Sequence, residues 1–172
     1  ELIHIPKEIC AMNMRSITNF LTFSALLLLG GWVHAAGSHK SSAILMNDYE
    51  VMDWNGGTLM VGTLSGAAEI YGSESSAMPN GSVMINCGVR ILSVGSELDL
   101  ISNCVQKDLS GDEFYTVAER RAGTLDTGGG GEGVQTIIGG TGKYQGVTGK
   151  CTYTVQFLES PWITVETSCA TD

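Results

Sequence analysis

The sequence predicts an all-β protein: a single antiparallel up-and-down barrel of about eight strands, stapled by two disulfides. Three observations carry this expectation. First, four cysteines lie in mirror pairs about two turns. Cys87 and Cys104 are equidistant from Gly95-Ser96, and Cys151 and Cys169 are equidistant from Ser160. Directly opposed positions on adjacent antiparallel strands are close enough for a disulfide. Second, apolar and polar residues alternate in short runs between turn signals, and helical periodicity is nowhere convincing. Third, the hairpins follow one another in order. Closing such a series removes its free edges, which favours a barrel over a sandwich.

The chain has 172 residues. Met14-Arg15, the apolar run over 20–29, and Val33 and Ala35 at the spacing of a small-residue cleavage site form the pattern of a secretory signal peptide. Cleavage is expected after Ala35. That gives an upstream extension plus signal peptide at 1–35 and a barrel domain at 36–172. The alternative is an uncleaved anchor, although the run falls short of the roughly 20 residues a span needs. The expected location is secreted or periplasmic, with no transmembrane span after cleavage.

Removing 1–35 takes Lys7 and Arg15 from the 9 Lys/Arg, leaving seven, and Glu1 and Glu8 from the 18 Asp/Glu, leaving sixteen. This balance argues against nucleic acid and anionic membrane surfaces as partners. Cys10 leaves as well, so four cysteines remain. Besides two disulfides, they allow free buried thiols or a four-thiolate metal site. Metal sites usually carry close pairs such as C-x-x-C, and none is present. Export favours the disulfides.

Residues 36–42 are small and polar and read as a frayed start. A first strand is expected at 49–54, then the hairpin signal Asn55-Gly56 and a partner at 58–64. Residues 67–71 read as a separate short strand and 72–81 as a loop. The longest strand pattern is 82–94. With Val94 opposite Glu97, the apolar face Val83, Ile85, Cys87, Val89 and Ile91 meets Leu98, Leu100 and Cys104, while the other face carries the charges. Asp108 to Asp112 reads as a type I turn with a glycine bulge at Gly111. Its D-x-S-x-D spacing also suits a fragment of a calcium loop, but the later ligands are missing.

A strand follows over 113–121. If the loop is 109–111, Phe114, Thr116, Ala118 and Arg120 face inward with Cys104. If it is one residue longer, Tyr115, Val117 and Glu119 do so instead. Gly128 to Gly131 read as a mobile loop. In the last hairpin, Cys151, Tyr153, Val155 and Phe157 face Ile163, Val165 and Cys169.

Histidine limits the chemistry. His4 and His34 leave with the N-terminus, and His39 falls in the frayed start, so a Ser-His-Asp triad and a His-ligated zinc site are not expected. Asp48, Glu50 and Asp53 read as a solvated strand end. The candidate ligand-binding residues are Arg120, Glu119 and Tyr144. Arg120 is suited to the carboxylate of an amphipathic ligand. The sequence implies no cofactor and no metal.

The densest motif runs from Ile137-Ile138 through Gly139-Gly140-Thr141-Gly142-Lys143-Tyr144-Gln145-Gly146 to Gly149. It is no phosphate loop, because Tyr144 follows Gly142-Lys143 where Ser or Thr is needed, and no helix start follows. Its glycines suit a bulged barrel corner, with Tyr144 as the large anchor. The segment resembles the G-G-[TS]-G-x-[FY]-x-G-x-x-G pattern of allene oxide cyclase and dirigent-like β-barrels, over about a tenth of the chain. The resemblance implies an eight-stranded barrel with an apolar cavity, hydrophobic small molecules as ligands or substrates, and homo-oligomers in several cases. The expected function is a non-catalytic binding or interaction module for an apolar small molecule. The alternatives are a cyclase- or dirigent-type enzyme and a structural surface module with a filled barrel.

Overall fold

A computed structural model of the protein describes residues 36–121 and 130–172. The expectations placed on 1–35, and on the first part of the glycine run, lie outside the described residues. The chain forms a closed barrel of eight antiparallel strands in sequence order: β1 (Gly37–Trp54), β2 (Gly57–Tyr71), β3 (Gly81–Val94), β4 (Glu97–Asp108), β5 (Glu113–Arg120), β6 (Gly131–Gly140), β7 (Gly149–Phe157) and β8 (Trp162–Thr171). Among the described residues, no helix is long and apolar enough to cross a membrane.

The turn chemistry explains the hairpins. Asn55 and Gly56 both take positive φ, as the mirror-image turn between β1 and β2 requires. Gly95 does so at the first central position of the β3–β4 turn. Val94 is then opposite Glu97, and Cys87 opposite Cys104. In the β7–β8 hairpin Cys151 is opposite Cys169. Both pairs are disulfide-bonded, at sequence separations of 17 and 18. Both point inward, because each register places the alternating apolar sets on one face.

Three expectations need correction. Residues 36–42 are not a frayed start: β1 begins at Gly37 and pairs with β8, Gly37 with Thr171 and Met46 with Trp162, which closes the barrel. The segments 58–64 and 67–71 are one strand, β2. Gly62 and Gly66 lie inside it because a Cβ there would overlap the Asp48 and Ile44 carbonyl oxygens, so they let β1 and β2 coil closely. Finally, Gly131 opens a strand, β6, that bridges β5 and β7.

Following the registers once round the ring from His39 returns to β1 at Tyr49, a shear of ten residues (49 − 39). An eight-stranded barrel has room only for its own side chains or for one small ligand. The end at which β1 begins is closed by the 72–80 loop, with Met78 fully buried, and by the glycine corner, with Tyr144 and Val147 buried.

Candidate functional site

The interior of the barrel holds a cavity of about 110 Å³. Apolar side chains such as Leu45, Leu64, Ile85, Val89 and Val165 form most of its wall, and both disulfides contribute. Ile70, Phe114 and Ile137 stand at the closed end. Among the described residues no Asp or Glu lines it. Its polar groups include His39, Gln106, Thr116, Gln135 and Arg120.

The loop after β4 decides between Arg120 and Glu119. Gly111 takes positive φ, and its N–H donates to the Asp108 carbonyl at 3.1 Å. Cys104 then pairs with Thr116, so Phe114, Thr116, Ala118 and Arg120 point inward. Arg120 is only 3% exposed and lines the cavity. Its Nη2 donates to the Gly130 carbonyl at 2.6 Å. A Cβ at Gly131 would overlap this guanidinium, and one at Gly133 would overlap the Tyr153 ring. The glycine run therefore makes room for two interior side chains. Glu119 lies on the outer wall, half-exposed, 3.7 Å from Arg121, and does not line the cavity.

Tyr144 does not line the cavity either; it supports it from outside. Its ring packs on Phe114 at 5.0 Å between centroids, and its hydroxyl donates to Asp108 Oδ2 at 3.0 Å. Asp108 also accepts from the Ser110 N–H at 2.8 Å and the Asp112 N–H at 3.1 Å, and it pairs with Lys143. Burial alone would raise its carboxyl pKa, but the hydrogen bonds from Lys143, Ser110 and Tyr144 outweigh that and hold it well below the usual carboxylate range. The D-x-S-x-D segment thus spends its first carboxylate on its own turn. Among the described residues, no group of three His, Cys, Asp or Glu gathers as a metal site. Asp48, Glu50 and Asp53 are exposed at the far end of β1.

The corner itself is built on a bulge. Thr116 pairs with Ile137 and Tyr115 with Gly139, leaving Ile138 unpaired. At Gly142, where φ is +51°, a Cβ would overlap the Asp112 carboxylate.

His39, Tyr49, Tyr153, Gln106 and Thr116 also face the cavity; the sequence places Tyr153 and, in one of two registers, Thr116 on inward faces, but names none of the five as a ligand-binding residue. Alternation along β1 would have found His39 had 36–42 been read as strand. Gln106 Nε2 donates to Thr116 Oγ1 at 3.3 Å. Burial, followed by the neighbouring Tyr153, pushes the Tyr49 phenol up to about 12, and burial also raises Tyr153. Both are neutral donors at pH 7.

His39 is 4% exposed and directly opposite Cys169. Burial lowers its pKa from the ordinary 6.5. The folded protein therefore binds fewer protons than the unfolded chain below pH 6.5, and stability falls as pH drops through that value. One proton sets the ceiling of this slope at about 1.4 kcal/mol per pH unit. Urea midpoints at a series of pH values from about 7.5 to 5.5 should show this slope, and His39→Phe should flatten it. An unchanged slope in the variant would assign the acid sensitivity elsewhere.

No family model matches the chain, and no curated protein is significantly similar to it.

Proposed function

We propose that the protein is an exported barrel that binds one small apolar molecule in its interior and performs no reaction on it. The observation that carries this reading is the cavity: mostly apolar wall, a few polar groups and, among the described residues, no carboxylate. Ligand sites generally combine an apolar lining with a few placed polar groups. The volume limits the ligand to a slender one, since a cavity of about 150 Å³ takes a benzene ring. Two disulfides suit an oxidising compartment, and the signal-like pattern of 1–35 supports export. The glycine corner, resembling that of allene oxide cyclase and dirigent-like barrels, is consistent with the same reading. The enzymatic alternative draws on the two neutral phenols, Tyr49 and Tyr153, that share the cavity with Arg120.

Arg120 gives an apolar acid a partner for its carboxylate within the lining. Charged hydrogen bonds contribute about 1.5–3 kcal/mol. Arg120→Met is therefore expected to weaken binding of short apolar acids by about 10- to 100-fold, as read by calorimetric titration against the wild type. Equal affinities across an acid panel would remove this role. Failure of the wild type to bind any apolar probe would favour a filled structural barrel.

A further inference from the structure

His39 is the feature of the cavity that its surroundings leave incomplete. Its side chain is almost wholly buried and faces inward, yet among the described residues Nδ1 has no hydrogen-bond partner. A buried polar atom left unsatisfied is costly, and native structures rarely tolerate one. Its inward-facing neighbours are sulfur and hydroxyl: Cys169 is directly opposite His39 across the β1–β8 seam and bonded to Cys151, and Ser41, paired with Thr167, lies two residues along β1. Among the described residues no carboxylate lines the cavity to make an ion pair with an imidazolium. The ring therefore stays neutral near pH 7, offering one nitrogen as acceptor and one as donor.

We propose that the closed end of the barrel binds a small neutral alcohol, its hydroxyl hydrogen-bonded to Nδ1 of His39 and its carbon skeleton held by the apolar wall. The chemistry narrows the class. Either tautomer can present itself at Nδ1, so the guest must be able to donate as well as accept. An ether or an ester carbonyl only accepts, a hydrocarbon does neither, and a charged ammonium only donates and would be desolvated against an apolar wall. A hydroxyl does both at modest desolvation cost. Cavity size sets the skeleton at about four carbons or fewer. Arg120 stands at the β5 end facing the opposite rim, so the two polar groups serve different ends of the cavity.

This inference rests on the reading that the barrel takes an apolar guest, and one experiment separates the two. The full chain is titrated with n-butane, in gas-saturated buffer, and with 1-propanol, which has the same number of heavy atoms, with binding and the His39 nitrogens followed by NMR. 1-Propanol is expected to bind about 3- to 10-fold more tightly than n-butane and to shift the Nδ1 resonance, while n-butane leaves that resonance in place. His39→Phe and His39→Leu should each keep n-butane binding and lose the preference for the alcohol. If the wild type binds both equally, or if the preference survives in either variant, the alcohol site is overturned while the apolar cavity stands. An Nδ1 resonance that already reports a hydrogen bond in buffer, and does not move with alcohol, would assign the position to a bound water and also overturn it. If neither probe binds the wild type, the cavity reading itself fails. The NMR measurement needs only the wild type, so the test survives a variant that does not fold.

Discussion

Tyr144→Ala is expected to lower stability by about 3–5 kcal/mol, the range for deleting a large buried ring. Three interactions are lost together: the ring is 1% exposed, packs on Phe114 at 5.0 Å and ties the glycine corner to the β4–β5 turn through Asp108. For a domain of this size the melting temperature should fall by roughly 10–20 °C. Tyr144→Phe isolates the hydroxyl. It should cost only about 1 kcal/mol, because Asp108 keeps Lys143, Ser110 and the Asp112 N–H as partners. Thermal unfolding of the two variants measures both effects. If Tyr144→Ala melted within a few degrees of the wild type, the corner would not be the anchor of that end of the barrel.

The second large effect concerns the staples. Each disulfide closes a loop of 17 or 18 residues, which corresponds to about 3 kcal/mol of lost unfolded-state entropy. The near-equal loops predict near-equal losses for the double variants Cys87→Ala/Cys104→Ala and Cys151→Ala/Cys169→Ala. Alanine is the right replacement, since serine would add a hydroxyl to the apolar interior. The pairs join different hairpins, so their effects should add. Loss of both, about 6 kcal/mol, is comparable with the whole stability of many domains. Unfolding in urea with and without reductant tests this, and coincident transitions would refute it.

The hairpins were legible because their signals are local and mutually constraining. Asn55-Gly56 and Gly95-Ser96 state their turn types, and the cysteines fix the registers of β3 with β4 and of β7 with β8. Arg120 was legible only as one of two choices, because a one-residue change in the 108–112 turn reverses every side chain on β5. The first half of β1 was hidden. Ser38, Lys40, Ser41 and Ser42 look like loop, and what makes them strand is pairing to β2 and β8, partners far off in sequence. That single misreading also hid His39, whose burial depends on the seam. The strand β6 was hidden by its glycines, whose purpose becomes visible only once Arg120 and Tyr153 are seen to occupy the space above them.

Gly37 and Thr171 are register partners, with the Thr171 hydroxyl donating to the Gly37 carbonyl at 3.0 Å. The barrel's topology is therefore indifferent to where the polypeptide is cut. A circular permutant joined by a short linker across that junction and reopened between Asn55 and Gly56 would retain the same ladders, the same sulfur bridges and the same enclosed volume.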